Sequence, residues 1–359
     1  MRVICLQENL QRALGIAGRA VATKSTLPVL GNFLLEAEDD HLTISGTNLE
    51  MGIIYTIPAT VEEPGKATLQ ARVLSDFVAS LPSGEVELFE DSGPTTMLVK
   101  HGSTQAHVRG QDPNDFPELT RSVEEGGQTI RLDPETLIDA IEQTVFAAAT
   151  DDSRPVLAGV QIESHGEDLT FAAADGFRMS VRTVKPSSPV EGDLSIIVPA
   201  RAMQELARVV GDTEEEVALH VTPNGAQLVA EVPDVTFYTR LIDGTFPDLS
   251  KIIPTDWTTR AVIGRDVLLD ATRRSSIFAR SSNDVVKVAI GGNSGDDDVG
   301  HITISATAAD TGDNRDEIDA QIDGNDLEVA FNARYLSDLL SVVHSPSVAM
   351  ELQGPNAAG

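Results

Sequence analysis

The residues able to do chemistry in this chain are few, and their spacing points away from catalysis. The seven histidines are scattered, with no HExxH pair and no metal-ligand spacing. Asp310, Asp313, Asp316 and Asp319 recur every third residue, which misses the calcium-loop pattern of the EF-hand and reads as a solvated loop. Gly291, Gly292 and Gly295 follow a strand-like run but lead into Asp296, Asp297 and Asp298, whose charge would repel a phosphate; this too reads as a loop. Cys5, the single cysteine, lies in the apolar start VICL and reads as a small buried hydrophobe. No Ser/His/Asp set can be nominated from spacing. The catalytic, metal and cofactor assignments are therefore all none.

The formal net charge is −30, which keeps the surface solvated and by default argues against nucleic acid, because phosphate binding needs Lys and Arg. Any DNA contact must rest on where the 26 basic residues lie. One cysteine excludes an internal disulfide and suits a reducing cytoplasm. No apolar run reaches the length of about 18 residues that would span a bilayer, and the N-terminus MRVICLQENL does not read as a signal peptide. A hydrophobic fraction of 41% is ample for packed cores, while an aromatic fraction of 4% leaves Leu, Val, Ile and Ala to fill them.

The elements that must position any functional residue are repeated. ARVLSDFVASL starts at Ala71, ARAMQELARVV at Ala200 and ARYLSDLLSVV at Ala333, spacings of 129 and 133 residues. Each is preceded by an opening amphipathic run (LQENLQRALGIAGRAV from Leu6, LDPETLIDAIEQTVF from Leu132, IGRDVLLDATRRSSIF from Ile263) and a short strand (LTIS at Leu42, LTFA at Leu169, ITIS at Ile302). DFPEL at Asp115 and TFPDL at Thr245 close the first two copies. A period this long is domain-sized, so one fold is copied three times.

Each copy reads helix, strands, helix, strands, an α+β pattern with antiparallel sheets. In copy one the helices are expected over Gln7–Val21 and Val73–Leu81. Strands are expected over Phe33–Glu38, Leu42–Thr47, Met51–Ile57, Glu85–Glu90, Thr96–Lys100 and Gln105–Arg109. Asp133 is the expected N-cap before Pro134. Linkers fall near Arg121–Gly127 and Pro254–Thr259, and the insert GGNSGDDDVG (Gly291–Gly300) replaces a shorter turn. Domains are therefore expected at 1–121, 128–254 and 258–359. From Ala333 only 26 residues remain, so the third copy lacks the counterparts of TMLVK and TQAHVRG in copy one and reads as a fragment.

STLPVLGNFLLEA (Ser25–Ala37), RPVLAGVQIE (Arg154–Glu163), ADGFRMSV (Ala174–Val181) and LIDGTFPDLSKIIP (Leu241–Pro254) together resemble the bacterial DNA polymerase III beta subunit, the sliding clamp, across the whole chain. The resemblance implies three tandem DNA-clamp domains, with helices on one face of antiparallel sheets. It implies a homodimeric ring around double-stranded DNA that tethers the polymerase, with no catalysis of its own. A topological link needs little phosphate affinity, which reconciles DNA with an acidic chain if the hole is locally basic. The implied DNA contacts are Lys24, Arg154 and Arg201, with Arg72 and Arg208 also on helices. The opening helix of copy two, with Asp139 and Glu142, departs from a basic lining.

The family also grips short hydrophobic peptides of the DNA polymerase III catalytic subunit, the clamp loader and other clamp-binding-motif proteins. Carried over position by position, that pocket falls on Leu157, Ala174, Gly176, Phe177, Arg178, Met179, Pro247, Lys251 and Ile252. The family's C-terminal tail, a Met-Pro-Met-like ending, is absent here. The implied dimer interface is Phe77, Ala106 and Val108 against Arg274, Ile277 and Phe278. A peptide-binding adaptor without a ring, or an enzyme on the triplicated scaffold, are the competing readings; no acid–base cluster supports the second.

Overall fold

The computed structural model describes residues 1–91, 95–121, 126–151, 153–211, 213–291, 299–357 and 359. Most of the expected Arg121–Gly127 linker (122–125) and of the Gly291–Gly300 insert (292–298), with Gly292, Gly295 and Asp296 to Asp298, lies outside the described residues. The chain divides into two compact units, Met1–Gly244 and Thr245–Gly359.

The first unit holds two copies. Strand Arg2–Leu6 leads into helix α1 (Gln7–Ala17), and strands Asn32–Glu38, His41–Thr47 and Met51–Pro58 form a meander. Strands Thr60–Glu63 and Gly65–Gln70 precede helix α2 (Ala71–Ala79); Glu85–Glu90, Thr96–His101 and Thr104–Arg109 then close the copy. Copy two runs Gln128–Leu132, helix α3 (Pro134–Val145), Gly159–His165, Asp168–Ala174, Met179–Val184 and Ser195–Pro199. It finishes with helix α4 (Ala200–Val210), Val217–Val221, Gln227–Val232 and Val235–Arg240. Helix α1 ends at Ala17 rather than Val21, because Gly15 and Gly18 weaken the last turns and Gly18 opens a 3₁₀ turn. Asp133 caps α3 as expected, its carboxylate accepting from Thr136 N at 3.1 Å, with Pro134 in the first turn.

The two copies share one eight-stranded sheet. Strand Met51–Pro58 of copy one pairs antiparallel with Val235–Arg240 of copy two, in the register Val235↔Tyr55 to Thr239↔Met51. At the junction a Cβ on Gly52 would lie 2.3 Å from the ring of Tyr238, so only glycine fits opposite that tyrosine. The helix pairs α1–α2 and α3–α4 cover one face of these sheets over a continuous Leu/Val/Ile/Ala core. On the other face Phe116 and Leu119, from the DFPEL string, pack with Leu34, Ile54, Val229 and Tyr238. The first copy's string therefore acts as a clasp over the shared sheet.

The second unit runs Thr259–Gly264, helix α5 (Arg265–Ala279), Val285–Gly291, Val299–Ala308, Gly312–Gly324, Leu327–Asn332, helix α6 (Ala333–Val342) and Ser347–Leu352. All six strands form one sheet with Ser347–Leu352 at its edge, and α5 and α6 pack together over the core. Asp313, Asp316 and Asp319 were expected in a solvated loop; they lie on strand Gly312–Gly324. Alternation puts Asp316 on the opposite face from the other two, so the three cannot converge on one ion. Asp316 pairs with Arg274, and Asp319 meets His301 at 3.1 Å.

Candidate nucleic-acid and peptide interfaces

The basic residues singled out in the sequence stand on the solvent side of the helices or beside them, and the structure adds Arg12 and Arg19 to that side. Arg12 and Arg19 are exposed on or just after α1, Arg72 on α2, Arg201 and Arg208 on α4, and Lys24 on the loop after α1. Helical spacing explains this: the apolar residues of α4 (Ala202, Met203, Leu206, Val209, Val210) are buried and the arginines take the remaining face. Their charge is not equally available. Arg208 is held by Glu205 at 2.7 Å, Arg19 reaches the same carboxylate at 3.4 Å, and Arg72 meets Asp76 at 3.8 Å. Lys24 and Arg201 have no ion-pair partner among the described residues. They are the two positions most open to a phosphate.

Arg154 is spoken for structurally. Its Nη1 donates to the Asp175 carbonyl at 2.7 Å and its Nη2 to Asp151 at 3.1 Å. Hydrogen bonds from Ser153 and then Arg154 hold the Asp151 carboxyl below the usual carboxylate range. Arg154 thus ties its own turn to the turn that carries Gly176, Phe177 and Arg178.

That second turn is built by Asp175, which the sequence reading passed over. Its carboxylate accepts from Phe177 N at 2.8 Å, from Arg178 N at 3.0 Å and from Arg178 Nε at 3.2 Å. Such an Asx-turn is signalled in sequence by Asp followed by Gly. Gly176 has φ +94°, and a Cβ there would come within 2.9 Å of Arg154 Nη1, so glycine is required twice over. The Arg178 guanidinium lies over the Phe146 ring, 5.4 Å from its centroid. With Asp175 and Arg178 locked, Phe177 is thrown outward, 83% exposed, the most exposed large hydrophobic side chain among the described residues. Val181, exposed, and Met179, half-buried, follow on one face of strand Met179–Val184; Leu157 is half-buried and Ala174 buried. Pro247, Lys251 and Ile252 belong to the second unit and are exposed there. Lys251 is held by Asp248 at 2.8 Å, and that hydrogen bond raises its pKa.

The proposed dimer residues divide. Ile277, on α5, is 60% exposed. Arg274, beside it, is engaged by Asp316 through three hydrogen bonds of 2.8 to 3.2 Å. Phe278 is half-buried against its own core, as is Phe77. Val108 corrects the expectation of an accessible side chain: it is 1% exposed, because Ala106 and Val108 share the core-facing side of strand Thr104–Arg109. What that strand offers a partner is its backbone edge. Cys5 is buried as expected, and burial pushes its thiol up to about 12.

The domain comparisons fall in chain order. The DNA polymerase III beta subunit N-terminal domain matches residues 1–120, the central domain 131–248 and the C-terminal domain 250–358. The chain belongs to the DNA polymerase III beta subunit family. Among its relatives, the beta sliding clamp of Synechocystis is 32% identical, covering 99% of this chain and 94% of its own. That of Bacillus subtilis is 29% identical over 97% and 91%. The crystal structure of the Bacillus subtilis DNA polymerase sliding clamp superposes with a TM-score of 0.91 at 28% identity, covering 99% of this chain and 94% of that one. The beta subunit of the Streptococcus pyogenes DNA polymerase gives 0.90 at 26% identity, with the same coverage. The fold is thus the three-domain α+β clamp fold, and the chain is a processivity clamp of DNA replication, an accessory subunit of DNA polymerase III.

Proposed function

We propose that two copies of this chain join head to tail into a ring that encircles duplex DNA. The ring tethers the DNA polymerase III catalytic subunit and other proteins carrying clamp-binding motifs, and a clamp loader opens it. It acts in the cytoplasm and contributes no bond-making step itself. Its working domains are 1–121, 128–254 and 258–359, with Lys24 and Arg201 as the principal phosphate contacts. The surface around Leu157, Phe177, Met179 and Val181 receives an apolar partner peptide.

One observation carries the ring. Copies one and two join by strand pairing, the last closing strand of copy two (Val235–Arg240) lying on the meander edge of copy one (Met51–Pro58). The same closing strand of copy one, Thr104–Arg109, is an edge strand of its sheet. In copy three the meander edge recurs as the first part of Gly312–Gly324, paired on one side with Val299–Ala308. A head-to-tail partner would repeat the join already made inside the first unit, and a heterologous contact of this kind closes into a ring.

The test is retention on DNA. Loaded onto nicked circular duplex at moderate salt, the protein is expected to stay bound through gel filtration and to be lost when the circle is cut. Equal retention on circular and linear DNA overturns the ring and favours the adaptor reading.

A further inference from the structure

We propose that Glu205, on α4, is a built-in competitor for DNA phosphate. It occupies Arg19 and Arg208 in the free protein and so sets how weakly the helix face holds a duplex. The proposal rests on the reading that this face meets DNA, and it adds the residue that tunes the contact. The Glu205 carboxylate stands between arginines from two different copies. Its Oε1 accepts from Arg208 Nη1 at 2.7 Å, one turn along its own helix. Its Oε2 accepts from Arg19 Nη1 at 3.4 Å, just past the end of α1. The acid side chain is only 13% exposed, while both arginines open to solvent.

The repeat supplies a comparison within the chain. Counted from the Ala-Arg pair, the same helix position carries Asp76, Glu205 and Asp338 in the three copies. Asp76 is 75% exposed, and its ion pair is with Arg72 of its own helix at 3.8 Å. A solvated pair of that length is weak and yields easily to another anion. Glu205 is longer by one methylene, sheltered, and reaches an arginine of copy one as well as one of its own helix. Arg201 stands four residues before it, at a spacing that permits a helix pair, yet has no ion-pair partner among the described residues. The carboxylate turns instead toward Arg208 and Arg19, so one acid decides which cations of this face are open and which are held.

A guanidinium presents the same N–H fork to a carboxylate as to a phosphate. A phosphate that approaches Arg19 or Arg208 therefore meets donors already directed at an anion, and it meets the charge of that anion as well. Both effects weaken binding, and both vanish with the Glu205 charge. Weak contact suits a protein held on DNA by topology, because tightly gripped phosphates would oppose sliding. The competing account is that Glu205 only ties copy one to copy two. That account predicts a change in stability and none in the response of DNA binding to salt.

The experiment measures binding of the full chain to a short labelled duplex across a salt series. Glu205→Gln keeps the shape of the side chain and removes its charge. It is expected to raise affinity at low salt by at least about tenfold and to steepen the slope of log K against log salt by about 2, roughly one for each arginine released. Glu142→Gln removes the same charge from an exposed position on α3 that has no ion-pair partner among the described residues, and is expected to leave the slope unchanged. With Arg19→Gln and Arg208→Gln already in place, Glu205→Gln is expected to gain nothing. Should Glu205→Gln fail to fold, Glu205→Asp carries the test: it is expected to release the longer Arg19 contact and steepen the slope by about 1, and a parental slope overturns the proposal. So does an equal gain from Glu142→Gln, a gain that survives loss of both arginines, or a lowered melting temperature with an unchanged slope. Lys24→Ala with Arg201→Ala on the same duplex separates this failure from that of the DNA reading. If that pair weakens binding while Glu205→Gln changes nothing, only the role of Glu205 falls; if neither alters binding, the face does not meet DNA and both fall.

Discussion

At the scale of single residues, the most constrained charge is Glu36, on strand Asn32–Glu38 and only 9% exposed. Lys66 reaches its carboxylate at 2.6 Å and Arg121 binds the other oxygen. Burial works against ionisation, but the hydrogen bonds and charge of Lys66 and Arg121 outweigh it and hold the carboxyl below the usual glutamate range. A depressed folded-state pKa stabilises above the unfolded value and loses that contribution as pH falls through the folded one. Glu36→Gln should therefore lower stability by about 2 kcal/mol near neutrality, with the deficit shrinking as pH drops below about 4; urea titrations across pH read this directly. Phe177 presents the opposite case, a side chain with almost no fold to support. Phe177→Ser should leave the melting temperature unchanged and weaken a clamp-binding peptide by about tenfold, measured by calorimetry. A fall in melting temperature with unchanged affinity would assign Phe177 to packing.

At the scale of elements, strand edges matter more than helix faces. The closing strand of each copy either finds a meander edge, as Val235–Arg240 does, or stands open, as Thr104–Arg109 does. If the open edge joins a second protomer, the exposed end of α5 should lie in the contact, where Ile277 offers an apolar side chain with no core role. Ile277→Asp should convert the dimer to monomers by light scattering while the circular dichroism spectrum stays as in the parent. Phe278 is a poorer choice, because it packs on its own core and its loss would confuse dissociation with unfolding. A variant that remains dimeric would remove α5 from the interface.

At the scale of the whole molecule, a net charge of −30 and a DNA-handling role are compatible only if affinity is not what holds the two together. With Arg72, Arg208, Arg265 and Arg274, half of the α-helix arginines, already paired to carboxylates, few counterions should be released on binding, so the salt dependence should be shallow. Lys24→Ala combined with Arg201→Ala should reduce loading onto circular DNA several-fold and flatten the salt slope by about 2, without changing the oligomeric state; filter binding across a salt series measures it. An unchanged slope would mean these two cations face solvent only.

The sequence by itself determined the triplication, the α+β pattern, the cap at Asp133, the burial of Cys5 and the family, because these follow from local periodicity, turn chemistry and strings in register. The tertiary structure alone decided which charges are available, since Arg154, Arg208 and Arg274 look like free cations in sequence and are tied to Asp151, Glu205 and Asp316. It decided that Asp313, Asp316 and Asp319 lie on a strand and diverge, which a three-residue spacing hides. It decided that Val108 faces inward and that Asp175 organises the turn that projects Phe177. In each case the deciding contact joins residues brought together by sheet register or by a folded turn, and one chain read without its partners cannot show which edge, or which carboxylate, will be the neighbour.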